Sequence, residues 1–298
     1  MGIPEGIHTV LVTPFDRAGA IDTRVLRAHI DWLLDAGVHA LIPGGTTGEF
    51  YAQTTAERAE VLEVVADVVR GRVPLLAGVN STHPDETIEL ASYARDLGYA
   101  GLLLAAPPYS LPTGDDLEAH VRRVAGEVGL PIMLYNFPTR TGVDMTTSFL
   151  RRLVDVEQVV AIKESSGSLG KLHELAVDLS GRFEPVCGTD DQALEFFLWG
   201  ARAWVAGASN FLPKAHVRLY ETCVVRRDIE AGRALMTLLL PLFSLIEGTG
   251  KYVEYVKAGT EAVGIPVGAP RRPLTTLPAA DRDTLDRLLG DLRQQGLA

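Results

Sequence analysis

The sequence predicts an α/β fold, namely a (β/α)8 TIM barrel followed by a C-terminal helical extension. Short apolar runs rich in β-branched residues recur at intervals of roughly thirty residues, and each precedes a stretch whose apolar residues are spaced three and four apart. Runs such as GLLLAAP and VVAI are apolar throughout instead of alternating with polar residues. This is typical of parallel strands that helices cover on both faces.

Eight apolar runs are the predicted strands of this barrel. They are His8–Pro14, Ala40–Gly45, Val73–Val79, Gly101–Pro107, Pro131–Asn136, Val159–Ser165, Glu184–Asp190 and Ala203–Ser209. Eight strand–helix units within about 225 residues favour a closed barrel over an open doubly wound sheet. Periodicity alone leaves the open sheet as the alternative.

Helical segments fill the intervals between the runs. Thr54–Arg70 and Asp85–Leu97 have the clearest helical spacing of apolar residues. Pro84 stands just before the first turn of the second segment, where the missing N–H of proline leaves no hydrogen bond unmade. The intervals therefore predict crossover helices.

The strand pattern stops after the eighth unit. We therefore predict a catalytic barrel over residues 1–227 and a helical domain over residues 228–298 that packs on the barrel. Gly248–Gly250 and the loop Gly264–Pro273 separate the predicted helices. Within that loop, Arg271–Arg272 lies between two prolines, and we interpret it as a solvated loop or an inter-subunit contact.

Composition disfavours several classes of protein. The formal net charge is −10 and no basic run exceeds two residues, which argues against nucleic acid and anionic membrane surfaces as partners. The N-terminus has no leader pattern and no uncharged apolar run reaches about eighteen residues, so we expect no membrane span and a cytoplasmic location. The cysteines Cys187 and Cys223 and the scattered histidines predict neither a disulfide framework nor a catalytic metal.

Polar residues follow four of the predicted strands, at the end where the catalytic groups of such barrels lie. They are the turn Gly44–Glu49 after the second run, Tyr109 after the fourth, Tyr135–Asn136 in the fifth and Lys163–Glu164 in the sixth. We treat these residues as the candidates for chemistry.

Lys163 is the candidate nucleophile. The other lysines lie in segments predicted as helices or loops, whereas Lys163 interrupts an apolar strand. An apolar environment disfavours the charged ammonium, which lowers the pKa and makes the neutral amine accessible near neutral pH. The alternative is that Lys163 reaches out of the strand and pairs with Glu164 or another carboxylate.

Each of the other candidates also has a structural alternative. The turn GGTTGE has the glycines and hydroxyl groups to bind a carboxylate, or it is only a tight turn. Tyr135 and Tyr109 could transfer protons, or they are core aromatics with a hydrated hydroxyl. Arg140 could clamp a carboxylate or pair with a surface acid. Asp190–Asp191 is interpreted as structural, with its second residue as a helix N-cap rather than as a metal ligand.

Four motifs together resemble a known family. They are GTTGE at Gly45–Glu49, YNFPTRTG at Tyr135–Gly142, IKES at Ile162–Ser165 and GTDD at Gly188–Asp191. In their order and spacing across nearly the whole chain, these motifs are similar to those of the dihydrodipicolinate synthase/N-acetylneuraminate lyase family.

The resemblance implies roles for the residues at the strand ends. Lys163 matches the lysine that forms an imine with pyruvate or a related 2-keto acid. Tyr135 matches the proton-relay tyrosine, and Thr46 and Tyr109 match the other two members of that relay. In this family the tyrosine that Tyr109 matches is contributed by the neighbouring subunit of a dimer, so the resemblance also implies a homodimer or homotetramer.

The resemblance further implies residues that bind substrate. Thr47 and Gly48 match the part of the turn that holds the keto-acid carboxylate, and Arg140 matches the arginine that synthases use on the second substrate. Gly188 in GTDD and Val205 in the segment AWVAGASN complete the set. The resemblance implies no cofactor, because the lysine itself supplies the electrophile.

Three functional hypotheses remain open. The first is condensation of pyruvate with an aldehyde such as aspartate semialdehyde, which Arg140 supports. The second is aldol cleavage, dehydration or deamination of a 2-keto-3-deoxy sugar acid or related keto acid, which Phe50 and Tyr51 support because synthases of the family usually have small residues there. The third is a non-catalytic barrel that only binds a ligand, which the set of Lys163, Tyr135 and Thr46 disfavours.

The resemblance also bears on regulation. Lysine-sensitive bacterial members of the family bind free lysine in a cleft at the dimer interface. By alignment through GTTGE and YNFPTRTG, the corresponding positions here are Tyr51, Thr55, Arg58, Thr82, Glu86 and Pro108. Only Glu86 keeps the residue type of those members, so we expect no inhibition by lysine.

Overall fold

The computed structural model describes residues 2–298 and contains parallel strands that alternate with helices. The strands are β1 (Gly6–Val10), β2 (Ala40–Ile42), β3 (Leu76–Gly78), β4 (Gly101–Ala105), β5 (Ile132–Asn136), β6 (Val159–Glu164), β7 (Glu184–Cys187) and β8 (Ala203–Ala206). Each of the eight predicted runs contains one of them or most of one.

The helices follow the strands in the predicted alternation. They are α1 (Thr23–Asp35), α2 (Thr55–Val69), α3 (Pro84–Asp96), α4 (Gly114–Val128), α5 (Pro138–Thr141), α6 (Thr147–Arg151), α7 (Leu169–Asp178), α8 (Ala193–Leu198), α9 (Pro213–Tyr220), α10 (Ile229–Gly248), α11 (Tyr252–Ala262) and α12 (Ala279–Gln294).

The sheet closes on itself. Its strand order is β2-β1-β8-β7-β6-β5-β4-β3, so β2 and β3 lie at the two ends of the hydrogen-bonded series. A parallel bridge between Leu41 and Leu75 joins these ends, and the backbone N–H of Gly78 donates to the carbonyl of Pro43 at 2.9 Å. The prediction of a (β/α)8 barrel is confirmed, and the open sheet is wrong.

The helix ends agree with the predicted segments to within one residue. Thr54 is the N-cap of α2 and forms a capping box with Glu57, while Arg70 ends the helix in a left-handed conformation. Pro84 occupies the first turn of α3. Local cap chemistry therefore decides where these helices begin and end.

The first strand differs from its prediction. The run His8–Pro14 predicts a strand that ends at the proline, but β1 begins at Gly6 and ends at Val10. Beyond that point the N–H of Val12 donates to Oδ1 of Asn210 at 3.1 Å instead of to a neighbouring strand. The four residues after β1 are buried although they are not strand, because a side chain supplies the hydrogen bond that a strand would have supplied.

Strand side chains that point inward form an apolar cluster inside the barrel, which includes Val10, Leu103 and Met133. A separate cluster joins β8 to the C-terminal helices through Trp204, Phe243 of α10 and Leu289 of α12. Helices α10 and α12 thus contact β8 through this cluster. The boundary between residues 227 and 228 remains a prediction, and Asp228 is the N-cap of α10.

Helix α10 has the length and apolar composition that would allow it to cross a membrane. The core helices of soluble proteins pass the same test. One face of α10 is buried in the apolar cluster that joins it to β8, through Met236, Leu239, Leu242, Phe243 and Ile246. We therefore interpret α10 as a core helix.

Candidate active site

A cavity of about 570 Å³ lies at the C-terminal ends of the strands. The strands and the turns after them contribute one part of its wall, and the C-terminal helices contribute the other. Six of the residues predicted from the sequence line it, namely Thr46, Thr47, Tyr135, Arg140, Lys163 and Gly188. The barrel therefore brings together side chains that are widely separated in sequence.

Lys163 lies near the end of β6 and shares the inward face of that strand with Ala161, two residues earlier. It is 6% exposed and forms no ion pair with any of residues 2–298. Its Nζ lies 4.0 Å from the centroid of the Tyr135 ring. Burial lowers the pKa of Lys163 to about 8, although the charges of Glu247 and Asp190 act in the opposite direction.

The alternative in which Lys163 pairs with Glu164 is wrong. Neighbouring residues of a strand point to opposite faces, so Glu164 turns away from the cavity. Its carboxylate accepts hydrogen bonds from Nδ2 of Asn136 at 2.8 Å and from the N–H of Ser166 at 2.6 Å. Glu164 thereby ties β6 to β5 and leaves Lys163 without a partner.

Tyr135 lies beside Lys163 in the neighbouring strand β5, where the two residues are in register. Its ring is buried and stacks on Phe137 at a centroid distance of 5.6 Å. Burial raises the pKa of the Tyr135 phenol above its ordinary value, while Arg140, Thr46 and Ser165 lower it and Glu247 raises it further. The phenol therefore stays protonated at neutral pH and can donate a proton or a hydrogen bond into the cavity.

The turn after β2 presents Thr46 and Thr47 to the cavity, whereas Gly48 lies beneath them. The carbonyl of Gly48 accepts hydrogen bonds from Oγ1 of Thr13 at 2.7 Å and from Nε2 of Gln53 at 2.6 Å. A Cβ at Gly48 would lie 2.8 Å from the carbonyl oxygen of Leu11, so no larger residue fits. Gly48 shapes the turn and does not line the cavity.

The same turn is fixed from the C-terminal helices. Glu49 has a left-handed backbone with φ of 59°, and its carboxylate pairs with Lys257 of α11 at 2.7 Å. It also accepts the N–H of Arg271 at 2.7 Å. The Arg271 side chain donates to the carbonyls of Gly19 and Ala52 and pairs with Glu57 at 2.5 Å. The Arg271 side chain is therefore not simply solvated but braces the loop against the barrel, and the interpretation as an inter-subunit contact remains a prediction.

Besides Gly48, two predicted site residues lie outside the cavity, namely Tyr109 and Val205. Tyr109 follows β4 and is 95% exposed, with a left-handed backbone at φ 72°. Val205 is buried in the apolar cluster inside the barrel. By contrast Gly188 lies on the wall, where a Cβ would be 2.8 Å from Cγ of Lys163. Only glycine leaves the lysine its position there.

Arg140 lies on the short helix α5 and lines the cavity. Its guanidinium is 5.6 Å from the centroid of the Phe137 ring and makes no ion pair with any residue from 2 to 298. Arg140 therefore does not pair with a surface acid of the same chain, which was the alternative from the sequence. An unpaired guanidinium in a cavity is suited to an anionic ligand.

Most of the second part of the wall was not predicted from the sequence. It comes from the segment after β7 and from the region where α10 ends and α11 begins, and its residues include Asp191, Gln192, Ser244, Glu247 and Tyr252. The predicted N-cap role of Asp191 is wrong, because Gln192 occupies the N-cap position of α8. No spacing rule could have found Glu247 or Tyr252, because their proximity to Lys163 depends on how the C-terminal helices pack.

Glu247 and Asp190 form a pair of acidic groups beside Lys163. Oε1 of Glu247 accepts the backbone N–H of Asp190 at 2.9 Å. The Asp190 carboxylate accepts Nε1 of Trp204 and the N–H of Ala208, both at 3.1 Å. Burial raises the pKa of both carboxyls, and the negative charge of Asp190 raises that of Glu247 further.

A smaller cavity of about 210 Å³ adjoins the same side chains. It is bounded by Phe50 and Tyr51, which follow the turn, and by Pro108. Thr46, Tyr135, Phe137 and Arg140 line both cavities. The two aromatic residues singled out in the sequence therefore lie next to the candidate site.

The chain is similar to known proteins over nearly its whole length. A family model described as the Dihydrodipicolinate synthetase family matches residues 3–292. The 4-hydroxy-tetrahydrodipicolinate synthase of Exiguobacterium sibiricum is 36% identical over 91% of this chain and 92% of that protein. The corresponding enzyme of Methanopyrus kandleri is 34% identical over 98% of this chain and 97% of that protein.

Solved structures agree with the sequence comparisons. The 4-hydroxy-tetrahydrodipicolinate synthase of Methylacidiphilum fumariolicum superposes with a TM-score of 0.93 at 30% identity, over 98% of this chain and 96% of that one. A prophage protein of the dihydrodipicolinic acid synthase family from E. coli K12, solved in complex with pyruvate, gives 0.91 at 30% identity over 99% of both chains. The chain belongs to the dihydrodipicolinate synthetase family.

Proposed function

We propose that this protein is a class I lyase in which Lys163 forms a Schiff base with pyruvate or a closely related 2-keto acid. The observation that carries the proposal is a buried lysine at the C-terminal end of a barrel strand, with no ion pair, facing a cavity. Its pKa of about 8 leaves a useful fraction of neutral amine at physiological pH. A relative of the same family was solved with pyruvate, which supports this class of substrate.

The reaction begins with attack of the Lys163 amine on the ketone carbon. The resulting carbinolamine loses its hydroxyl as water when a proton reaches the oxygen, and the nitrogen lone pair forms the imine. Tyr135 is the donor that we assign to this step, with Thr46 beside it. Thr47 and the turn above Gly48 bind the carboxylate, and the iminium acts as the electron sink that a cofactor or metal supplies in other lyases.

The second substrate that we favour is an aldehyde such as aspartate semialdehyde, as the names of the relatives suggest. Loss of a C3 proton converts the imine into an enamine, and the enamine carbon attacks the aldehyde carbon. As the new carbon–carbon bond forms, the C=O π pair moves to the aldehyde oxygen, which takes up a proton, and the iminium is restored at Lys163. Arg140 is the residue that we assign to a carboxylate of this substrate, because its guanidinium lines the cavity without a carboxylate partner.

The second candidate function is cleavage, dehydration or deamination of a 2-keto-3-deoxy sugar acid or related keto acid. The observation that favours it is the smaller cavity bounded by Phe50 and Tyr51, which adjoins the main cavity at Tyr135 and offers space for a longer substrate. Both functions use the same imine at Lys163, and they differ in the substrate and in the bond that is made or broken.

We also propose a homodimer or homotetramer in the cytoplasm, in which Tyr109 acts across a subunit interface. Tyr109 and Leu111 are 95% and 60% exposed on one segment, and both have left-handed backbones. Side chains held outward in this way are suited to insertion into a second copy. The proton relay of Thr46 and Tyr135 would then gain its third member from the partner subunit.

The decisive experiment is reduction with borohydride in the presence of pyruvate, followed by mass spectrometry of the peptide that contains Lys163. We expect a covalent adduct on this lysine and none in Lys163→Ala. Because the attacking amine must be neutral, the initial trapping rate should rise as the pH increases through about 8. An adduct that persists in Lys163→Ala would refute the proposal. If the adduct depends on Lys163, turnover with a panel of aldehydes and keto acids chooses between the two candidate functions.

A further inference from the structure

Two different side chains that can donate or accept a proton lie near Lys163, one toward β5 and the other toward β7. In the strand order, β6 lies between β5 and β7. Tyr135 is in register with Lys163 on the β5 side. On the other side, Glu247 is bonded to the backbone of Asp190, in the segment that follows β7. The site therefore contains an acidic group that the assignment of Tyr135 and Thr46 does not use.

The geometry points to Glu247 as a further catalytic residue, the base that removes the C3 proton of the keto acid bound to Lys163. This inference rests on the proposed function, because it requires the imine. Glu247 lines the same cavity as Lys163 but does not pair with it, which leaves room for a ligand between the two groups. One carboxyl oxygen is held by the N–H of Asp190, and the other makes no hydrogen bond with residues 2–298.

The step balances as a simple proton transfer. The Glu247 carboxylate takes the proton from C3, the electron pair of that C–H bond forms the C2=C3 double bond, and the C2=N pair moves to the nitrogen. The products are a neutral enamine and a neutral carboxylic acid. Return of the proton reverses the step, so neither an oxidant nor a co-reactant is needed.

The charge states of the neighbouring groups favour this assignment over Tyr135. Because burial raises the pKa of the Tyr135 phenol, this group stays protonated near neutral pH, so almost no tyrosinate is available to remove a proton from carbon. A carboxyl whose pKa is raised is a stronger base than an ordinary glutamate, and burial raises that of Glu247. The positive charge on Lys163 lowers the pKa of Glu247 again. An iminium at Nζ therefore converts Glu247 to its basic form when the base is needed.

Asp190 is the member of the pair with Glu247 that stays negatively charged in the free enzyme. Its carboxylate accepts two N–H donors, from Trp204 and Ala208, and such bonds favour the charged form, whereas Glu247 accepts one. Two interacting carboxyls titrate as a pair, and Glu247, which accepts fewer hydrogen bonds, holds the proton in the free enzyme. The groups that influence Glu247 or respond to its charge are Asp190, Asp191, Lys163, Cys187, Tyr135 and Tyr252.

The experiment follows exchange of the pyruvate methyl protons in D₂O by NMR, which requires no second substrate. We compare the wild type with Glu247→Gln, whose amide oxygen can still accept the N–H of Asp190. The matched control is Glu230→Gln, the same change at an exposed position on the same helix. We expect Glu247→Gln to slow exchange by about 10²-fold or more while borohydride still traps pyruvate on Lys163, and Glu230→Gln to behave as the wild type.

Exchange by folded Glu247→Gln at the wild-type rate would overturn the inference. Loss of trapping in the folded variant would also overturn it, because the residue would then act in imine formation. If circular dichroism shows that Glu247→Gln does not fold, Glu247→Asp replaces it, and its carboxylate, drawn back by one methylene, should slow exchange without preventing trapping. A wild-type rate in this variant would count against the inference. Failure of the wild type itself to trap pyruvate would refute the proposed function instead.

Discussion

The protein contains two buried lysines in different regions, and they share their burial and an aromatic neighbour but differ in their partners. Lys163 at the end of β6 is 6% exposed, and Lys257 in α11 is 1% exposed. Each ammonium lies over an aromatic ring, at 4.0 Å from the centroid of Tyr135 and 4.2 Å from that of Phe15. Burial is the main cause of a lowered pKa in both.

Partners and open space distinguish the two regions. Lys257 pairs with Glu49 at 2.7 Å and donates to the carbonyl of Ala269, and it fixes the turn after β2. Lys163 has no carboxylate partner and faces a cavity. Desolvation alone therefore does not make a nucleophile. A lysine becomes one when its environment lowers the pKa and leaves a route for a substrate.

The largest expected effect is on stability, and it separates the two lysines directly. Lys257→Met leaves the Glu49 carboxylate buried without its partner, which should lower the free energy of unfolding by about 3–5 kcal/mol. Lys163→Met leaves no buried carboxylate without a partner, so the free energy of unfolding should stay unchanged or rise. Denaturant unfolding of both variants measures the difference. Equal destabilisation by the two changes would abolish the distinction between a structural and a reactive lysine.

The second prediction concerns the rings beneath the lysines, because Tyr135 carries a hydroxyl and Phe15 does not. Tyr135→Phe should slow turnover by about 10²-fold or more, since a positioned proton-transfer group is lost while the ring that packs on Lys163 remains. Steady-state kinetics with pyruvate and the second substrate provides the measurement. An unchanged kcat would remove the Tyr135 hydroxyl from the mechanism.

A third prediction compares two arginines in the same way. Arg271 is satisfied by Glu57 and by backbone carbonyls, whereas Arg140 lines the cavity without a carboxylate partner. Arg140→Ala should raise KM for the second substrate by about tenfold or more and affect KM for pyruvate much less, because a charge-assisted clamp contributes roughly 1.5–3 kcal/mol. Arg271→Ala should instead lower the melting temperature. Equal increases of both KM values in Arg140→Ala would assign this residue a structural role.

The smallest expected effect is the absence of feedback inhibition by free lysine. Arg58 is buried at one of the corresponding positions and donates to the carbonyl of Gly78, so it would place a positive charge near the incoming ammonium. Pro108 has no hydroxyl to donate to the carboxylate. Losing two charge-assisted contacts weakens binding by about a hundredfold or more. Calorimetric titration that detects sub-millimolar binding would contradict this and would favour the synthase over the sugar-acid reaction.

Much of the fold could be predicted because its signals are local. Apolar periodicity located all eight strands and the start of α2 to within one residue, and the structure shows a capping box at Thr54 there. The strand ends were less predictable, since the end of β1 depends on a hydrogen bond that the N–H of Val12 donates to the side chain of Asn210, distant in sequence. The contacts of Arg271 could not be predicted for the same reason, because its partners Gly19 and Glu57 lie far away along the chain.

The sequence by itself determined the alternation of eight strands with helices, the position of Lys163 near the end of an apolar strand and the position of Thr46 and Thr47 in the turn after the second strand. Only the tertiary structure decided that Gly48 and Val205 lie away from the cavity wall, that Tyr109 projects outward, and that Glu247 joins the site. The physical reason is that strand alternation is a property of consecutive residues, whereas the packing of α10 and α11 over the barrel depends on contacts across the whole chain.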